Sequence, residues 1–363
     1  MKTITIDDFK NQLLNKTPLI DVRAAIEFVT GSIPGSINLP ILDDQERHQI
    51  GICYKNKGQE AAIVLGHKLV SGENLESKVS AWKAELSKNP DTIITCFRGG
   101  LRSQSAQKFL QDVGIKTVRL EKGYKSARQY FMDHLQSYAK ATPMLILSGT
   151  TGSGKTHVIN DIAGFYPTVD LEGLAHHRGS AFGAWSIPQP AQADFENRLA
   201  VETMKVAATE LRPLLLEDES RLIGSCHIPE YFFLKMREAS VILIQEPLES
   251  RIENIFADYI TSLINDSSSV EDVKNIFAKY KNSVSRIQKK MGGLRAQELL
   301  NDLNECELDF TESKAVNKNK IWIEKLLVWY YDSMYLGSLE MRKPNIAFKG
   351  SSAEVKSFLQ TKS

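Results

Sequence analysis

Gly149-Thr150-Thr151-Gly152-Ser153-Gly154-Lys155-Thr156 has the spacing G-x-x-x-x-G-K-[ST] at every fixed position. These are the residue types that hold a phosphate. Glycines let the backbone fold so that several N–H groups point at one anion. Lys155 adds a mobile full charge, and Thr156 a hydroxyl able to reach a magnesium ion. The pattern says that a phosphate is held, not whose phosphate it is. A second chemical centre lies upstream at Cys96-Phe97-Arg98-Gly99-Gly100-Leu101-Arg102-Ser103. A cysteine followed at once by two glycines and two arginines sits in a setting that favours the thiolate over a buried, inert thiol. Five residues separate Cys96 from Arg102, a loop sized for a tetrahedral oxyanion.

Both centres need a strand to deliver them and a helix to receive them. Met144-Leu145-Ile146-Leu147 is an apolar run and predicts a buried strand before the first loop. His157-Val158-Ile159-Asn160-Asp161-Ile162 starts a helix after it, whose N-terminus adds partial positive charge. Thr92-Ile93-Ile94-Thr95 predicts a short strand ending at Cys96. Ala106, Phe109, Leu110 and Val113 then share one face of a helix. Pro213-Leu214-Leu215-Leu216 leads into Glu217, Asp218 and Glu219, an apolar strand ending in carboxylates. With Thr156, Glu217 or Asp218 is therefore a candidate magnesium-side group. Val241-Ile242-Leu243-Ile244 is a further buried strand, and beyond about residue 248 the chain is expected to be mostly helical. Alternation of strands and helices predicts an α/β protein with parallel sheets. The expected organisation is a first domain over 1–130, a connecting helix over 131–142, and a second domain over 143–363.

At 363 residues the chain is long enough for two cores. Nothing approaches the ~20 apolar residues of a membrane span, and the N-terminus has no secretory pattern. The four cysteines at 53, 96, 226 and 306 show no spacing for a zinc site or a disulfide framework. A reactive thiol suits a reducing, cytoplasmic setting.

Net charge is +1, which by itself signals no nucleic acid. The distribution says more. Residues 1–140 carry 20 Lys+Arg against 15 Asp+Glu, and the remainder carries 25 against 29. Within that acidic remainder, residues 273–297 hold Lys274, Lys279, Lys281, Arg286, Lys289, Lys290 and Arg295 with no acid. Such a run is either a solvated helix face or a phosphate-contacting surface. Tyr280, Trp329 and Tyr330 could stack on bases, although core packing is the commoner role. His176, His177 and Arg178 are candidates to meet an anion near the phosphate loop.

Leu19-Ile20-Asp21-Val22-Arg23, then Glu27-Phe28, then Gly31-Ser32-Ile33-Pro34-Gly35-Ser36-Ile37-Asn38-Leu39-Pro40 resembles the entry motif of rhodanese-like sulfurtransferase domains. Ser32 stands where that family usually has His, and Asp21, Arg23 and Glu27 are expected to form a structural network. The thiol loop is one residue longer than in simple rhodaneses and has the spacing of Cys-dependent phosphatases. Joined to a phosphate loop, and with Asp170-Leu171-Glu172-Gly173-Leu174-Ala175-His176-His177-Arg178-Gly179 and Leu216-Glu217-Asp218-Glu219-Ser220-Arg221, the whole chain resembles the tRNA 2-selenouridine synthase family.

The resemblance implies a rhodanese-like domain followed by a P-loop NTPase-like α/β domain with a helical C-terminal part. It implies action on 2-thiouridine at the wobble position of tRNA, with selenophosphate as selenium donor and geranyl diphosphate as prenyl donor. The phosphate loop (Gly149, Thr150, Gly152, Ser153, Gly154, Lys155, Thr156) would clasp the diphosphate. Cys96 would carry selenium or help cleave the Se–P bond, with Arg98 and Arg102 neutralising the oxyanion. Phe182, Trp185 and Ile187 could line a prenyl pocket. Two other classes fit parts of the sequence: a P-loop kinase or ATPase with a regulatory rhodanese domain, and a stand-alone sulfurtransferase or Cys-dependent phosphatase.

Overall fold

The computed structural model describes residues 2–183, 187–207, 212–264, 268–313 and 316–361. The chain divides into two compact units, Met1–Tyr138 with Pro190–Thr209, and Ala139–Gln189 with Glu210–Ser363.

The first unit is built on five parallel strands. In space they run Lys2–Ile4, Val118–Leu120, Ile93–Thr95, Leu19–Asp21, Ser36–Asn38. The inner strands Leu19–Asp21 and Ile93–Thr95 are buried throughout, as parallel strands covered on both faces must be. Ile20, Val22, Ile94, Trp82 and Leu110 form the core on one side. Asp21 and Arg23 are paired inside it, with Nε to Oδ2 at 2.8 Å, and Arg23 also donates to the Gly31 carbonyl at 2.8 Å. Of the expected network of Asp21, Arg23 and Glu27, the Asp21–Arg23 pair is present and Glu27 lies elsewhere.

The helix Gln192–Ala207 belongs to this unit, whereas the order of elements in the sequence predicts an unbroken second domain over 143–363. Phe195, Leu199 and Met204 are buried on it. Asp194 accepts from the Ser32 amide at 2.7 Å and hydroxyl at 3.0 Å. Asn197 donates to the Ser32 carbonyl at 2.7 Å and accepts from Arg128 at 2.8 Å. The apolar spacing of a helix predicts that it packs, but carries no information about which core receives it.

The second unit also carries a five-stranded parallel sheet, ordered Ile346–Gly350, Ser240–Ile244, Met144–Gly149, Leu214–Glu217, Thr168–Val169. Its inner strands are the three apolar runs read from the sequence. A helical part follows. Val270–Met291 and Gly293–Ser313 form a hairpin turned at Gly292, whose φ of +99° suits glycine. Its core is aromatic, with Phe277, Tyr280, Trp322 and Phe182 packed together. Two segments, Ala257–Thr261 and Leu327–Tyr331, wind as π-helix. Such turns recur at functional sites because they re-aim a side chain. Among the described residues no helix is long and apolar enough to cross a membrane.

Candidate functional site

The phosphate loop leaves the central strand Met144–Gly149 at its C-terminal end, where open α/β sheets bind ligands. The helix Lys155–Ile162 begins at once, with Gly154 as its N-cap at φ +77°. Gly152 has φ +84°, and a Cβ there would lie 2.7 Å from the Arg251 carbonyl oxygen, so no other residue fits. The loop is braced from outside. Arg251 donates to the Thr151 carbonyl at 2.9 Å and Asn254 to that of Gly152 at 2.8 Å. Asp332 in turn holds Arg251, with contacts of 2.5 and 3.1 Å.

Inside the cradle, Lys155 Nζ donates to the Gly149 carbonyl at 2.9 Å. Thr156 Oγ1 lies 2.8 Å from Glu217 Oε1 and 3.1 Å from Glu172 Oε2. Glu217 also accepts from the Glu172 amide at 3.3 Å. Burial and neighbouring carboxylates push these acids up: Glu172 to about 8, Glu219 to about 7, Glu217 well above its usual value. Desolvation likewise raises Asp170. Thr156 and Glu217 therefore meet. Asp218 does not join them. It is held by Arg342 through two contacts of 2.5 and 2.9 Å and accepts from Ser148 Oγ. Among the described residues no group of three or more His, Cys, Asp or Glu side chains is disposed around a metal position. Thr156 Oγ1 lies within hydrogen-bond distance of both Glu172 and Glu217, oxygen groups of the kind a magnesium ion takes.

A cavity of about 850 Å³ opens over the loop. Arg178, Arg237 and Arg342 join Lys155 around it with the acids Asp170, Glu172, Asp218, Glu219 and Asp258, Arg342 and Arg237 both facing Asp218, and Phe233, Met334 and Leu339 supply apolar wall. Tyr259 and Tyr331, one from each π-helical segment, also line it, and Arg178 lies 4.8 Å from the Tyr259 ring centre. The cavity fits a polyanion bearing an apolar group. Of the pocket residues expected from sequence, Phe182 is in the aromatic core and Ile187 is exposed. Trp185 lies outside the described residues. Of the His-His-Arg run, Arg178 lines the cavity, while His176 Nδ1 lies 3.1 Å from the Pro188 carbonyl oxygen.

The thiol loop is built the same way in the first unit. Cys96 ends the strand Ile93–Thr95, and Leu101–Asp112 starts after Gly100. The helix Gly123–Ala141 holds the loop from behind, with the Tyr124 amide donating to the Cys96 carbonyl at 2.8 Å and the Lys125 amide to that of Phe97 at 2.9 Å. A Cβ on Gly123 would collide with the Cys96 carbonyl oxygen. Lys122-Gly123 after a strand is a turn signal, and it is the one mark in the sequence of this glycine's role. Cys96 is 3% exposed, and its Sγ donates to Ser103 Oγ at 3.1 Å. The two arginines are placed differently from expectation. Arg102 makes a bidentate pair with Glu27, at 2.5 and 3.1 Å, and Arg98 is exposed beside the Phe97 ring. Glu27, expected as a partner of Asp21 and Arg23, thus serves the thiol loop.

The basic run falls on Val270–Met291 and the start of Gly293–Ser313. Lys274, Lys279, Arg286, Lys289, Lys290 and Arg295 are exposed, and Lys281 pairs with Glu307. Tyr280 and Tyr330 are core, and Trp329 is half-buried between Arg295 and Lys325.

Fold and site together define a two-part α/β protein, a thiol-loop domain followed by a phosphate-loop domain. Comparison with known proteins says which. Residues 5–129 match the rhodanese-like domain and residues 142–363 the tRNA 2-selenouridine synthase AAA domain. A tRNA 2-selenouridine synthase of Bdellovibrio bacteriovorus is 45% identical over 99% of both chains. Those of Nitrosomonas europaea (43%, 99% of this chain and 98% of that one) and Shewanella frigidimarina (42%, 96% of both) are similar. The chain belongs to the tRNA 2-selenouridine synthase family.

Proposed function

We propose that the protein converts 2-thiouridine at the wobble position of tRNA to 2-selenouridine in two steps. In the first, the sulfur attacks the C1 carbon of geranyl diphosphate. An S–C bond forms, the C–O bond breaks, and diphosphate departs. The observation that carries this reading is the cavity over the phosphate loop, with Lys155 and Arg178 at the loop and apolar wall beside them. Lys155 and the loop amides neutralise the charge that grows on the leaving group, and Arg178 takes the remaining oxygens. In the second step, selenophosphate is cleaved at its Se–P bond, with phosphorus passing to water as phosphate. The released selenide adds at C2 of the base and the geranylated sulfur leaves as a thiolate, now a better leaving group than bare sulfide. Cys96, steadied by Ser103, is the group that assists Se–P cleavage.

The test is mass spectrometry of the wobble nucleoside after thiolated tRNA is incubated with each donor separately and with both. Geranylated product with geranyl diphosphate alone, and selenium only when both are supplied, is expected. Cys96→Ala should lose selenium insertion and keep geranyl transfer. Normal selenouridine yield from that variant removes the thiol from the mechanism.

A further inference from the structure

The helix Asp44–Leu69 runs 26 residues yet buries only Ala62. Ile50, Ile52, Ile63 and Val64 stay exposed or half-buried on it. Its two helical stretches meet at a kink at Gly58 (φ +83°), Ile50 packs against the core of the first unit, and an apolar cavity of about 810 Å³ lies beside it, within the range of roughly 300–1,000 Å³ that ligand pockets occupy. Ile41, Ile50, Ile63, Leu101 and Phe109 make the wall. Arg47, Lys55 and Arg102 stand at its edge against the single acid Glu27, which is already shared between Arg47 (3.1 Å) and Arg102. Leu101 and Arg102, which line the cavity, are the first residues of the helix that follows Gly100, so the thiol loop and the cavity share that helix start. Apolar wall left uncovered inside a domain and rimmed by excess cations marks a site for an apolar group carried by a polyanion.

We propose that this cavity receives the apolar substituent of an S-prenylated nucleotide in tRNA, and that its basic edge takes the adjoining phosphates. The geranyl chain would then be the handle that brings the alkylated carbon to the thiol loop. The inference rests on the prenylated intermediate proposed above, and its test does not depend on the enzyme making that intermediate.

Anticodon stem-loop RNAs are synthesised with 2-thiouridine or S-geranyl-2-thiouridine at the wobble position, and binding to the full-length protein is measured. The unaltered protein is expected to prefer the geranylated RNA by about tenfold or more, since even two buried methylenes contribute that much. Ile63→Trp and, independently, Gly66→Leu fill the cavity. Gly66 sits in the helix where a Cβ would meet Ile50 Cδ1 at an ordinary 3.6 Å, and leucine is the better helix former. Both variants should lose the preference while binding thiolated RNA as before. Lys55→Glu should weaken both RNAs alike and lower the salt dependence. Equal binding of the two RNAs by the unaltered protein overturns the proposal. So does a preference that survives both filled variants, or a filled variant that changes only the oligomeric state, which would make a second copy the occupant. Failure to form geranylated tRNA from geranyl diphosphate would instead remove the intermediate and leave a measured preference standing.

Discussion

The hydroxyl of Thr156 meets two carboxyl groups, Glu217 and Glu172, that burial keeps partly protonated. An acid whose value is raised on folding stabilises the fold less as pH rises. For Glu172 the loss begins near the ordinary value of 4.5 and is complete near 8. Thermal unfolding of the protein without ligands should therefore show the melting temperature falling between pH 5 and 8. Glu172→Gln, which keeps the shape and removes the charge, should flatten that fall and melt higher than the unaltered protein at pH 8. A variant that melts lower at pH 8 would mean that the ionised pair is a net stabiliser. Lys155 and Thr156 are plain in the sequence, because eight consecutive residues carry the loop. Glu172 cannot be paired with Thr156 in advance, since its oxygen arrives from the separate short helix Leu171–Ala175. Arg102 shows the converse. Its charge is readable, but its partner Glu27 lies 75 residues away, and the ion pair competes with the anion it was expected to hold.

Strands and helices are readable wherever local pattern decides. Three apolar runs become the three inner strands of the second sheet, and the spacing of Ala106, Phe109 and Leu110 becomes a helix, which ends before Val113 and leaves that residue exposed. Pattern is silent on the helix Asp44–Leu69, whose apolar residues do not form one buried stripe. In Val270–Met291 the periodicity separates the two roles of one segment. Val273, Phe277, Tyr280, Val284 and Ile287 face the core, and Lys279, Arg286, Lys289 and Lys290 face out. Lys281 is committed to Glu307. If this face meets tRNA phosphates, Lys289→Glu with Lys290→Glu should weaken all tRNAs similarly and cut the salt slope by roughly 0.7–0.9 per lost contact. Titrations at several salt concentrations check it. Unchanged slope and affinity would leave the face merely solvated.

At the scale of the whole molecule, the proposal gives each unit one reaction. Lys155→Ala tests that division. Losing one charge-assisted contact to a departing diphosphate costs about 2–4 kcal/mol, or roughly 10²–10³ in rate. The loss should appear with thiolated tRNA and be much smaller with tRNA already geranylated. Equal loss in both assays would mean that the loop serves selenophosphate, a nucleotide or the tRNA itself. Two α/β units are readable from the alternation of elements, but the return of Gln192–Ala207 to the first is not. That excursion has a consequence for anyone who would take the protein apart. A gene cut at the apparent seam near residue 143 would yield an N-terminal piece without its own last helix. Ser32 and Arg128 would lose their partners, and the surfaces that meet Phe195 and Leu199 would be open to water. The other piece would carry that helix away from Ser32 and Arg128, which its Asp194 and Asn197 hold. One continuous thread passes from the first unit to the second, back, and out again, so a single cut should leave the N-terminal piece less stable than the same unit in the whole chain.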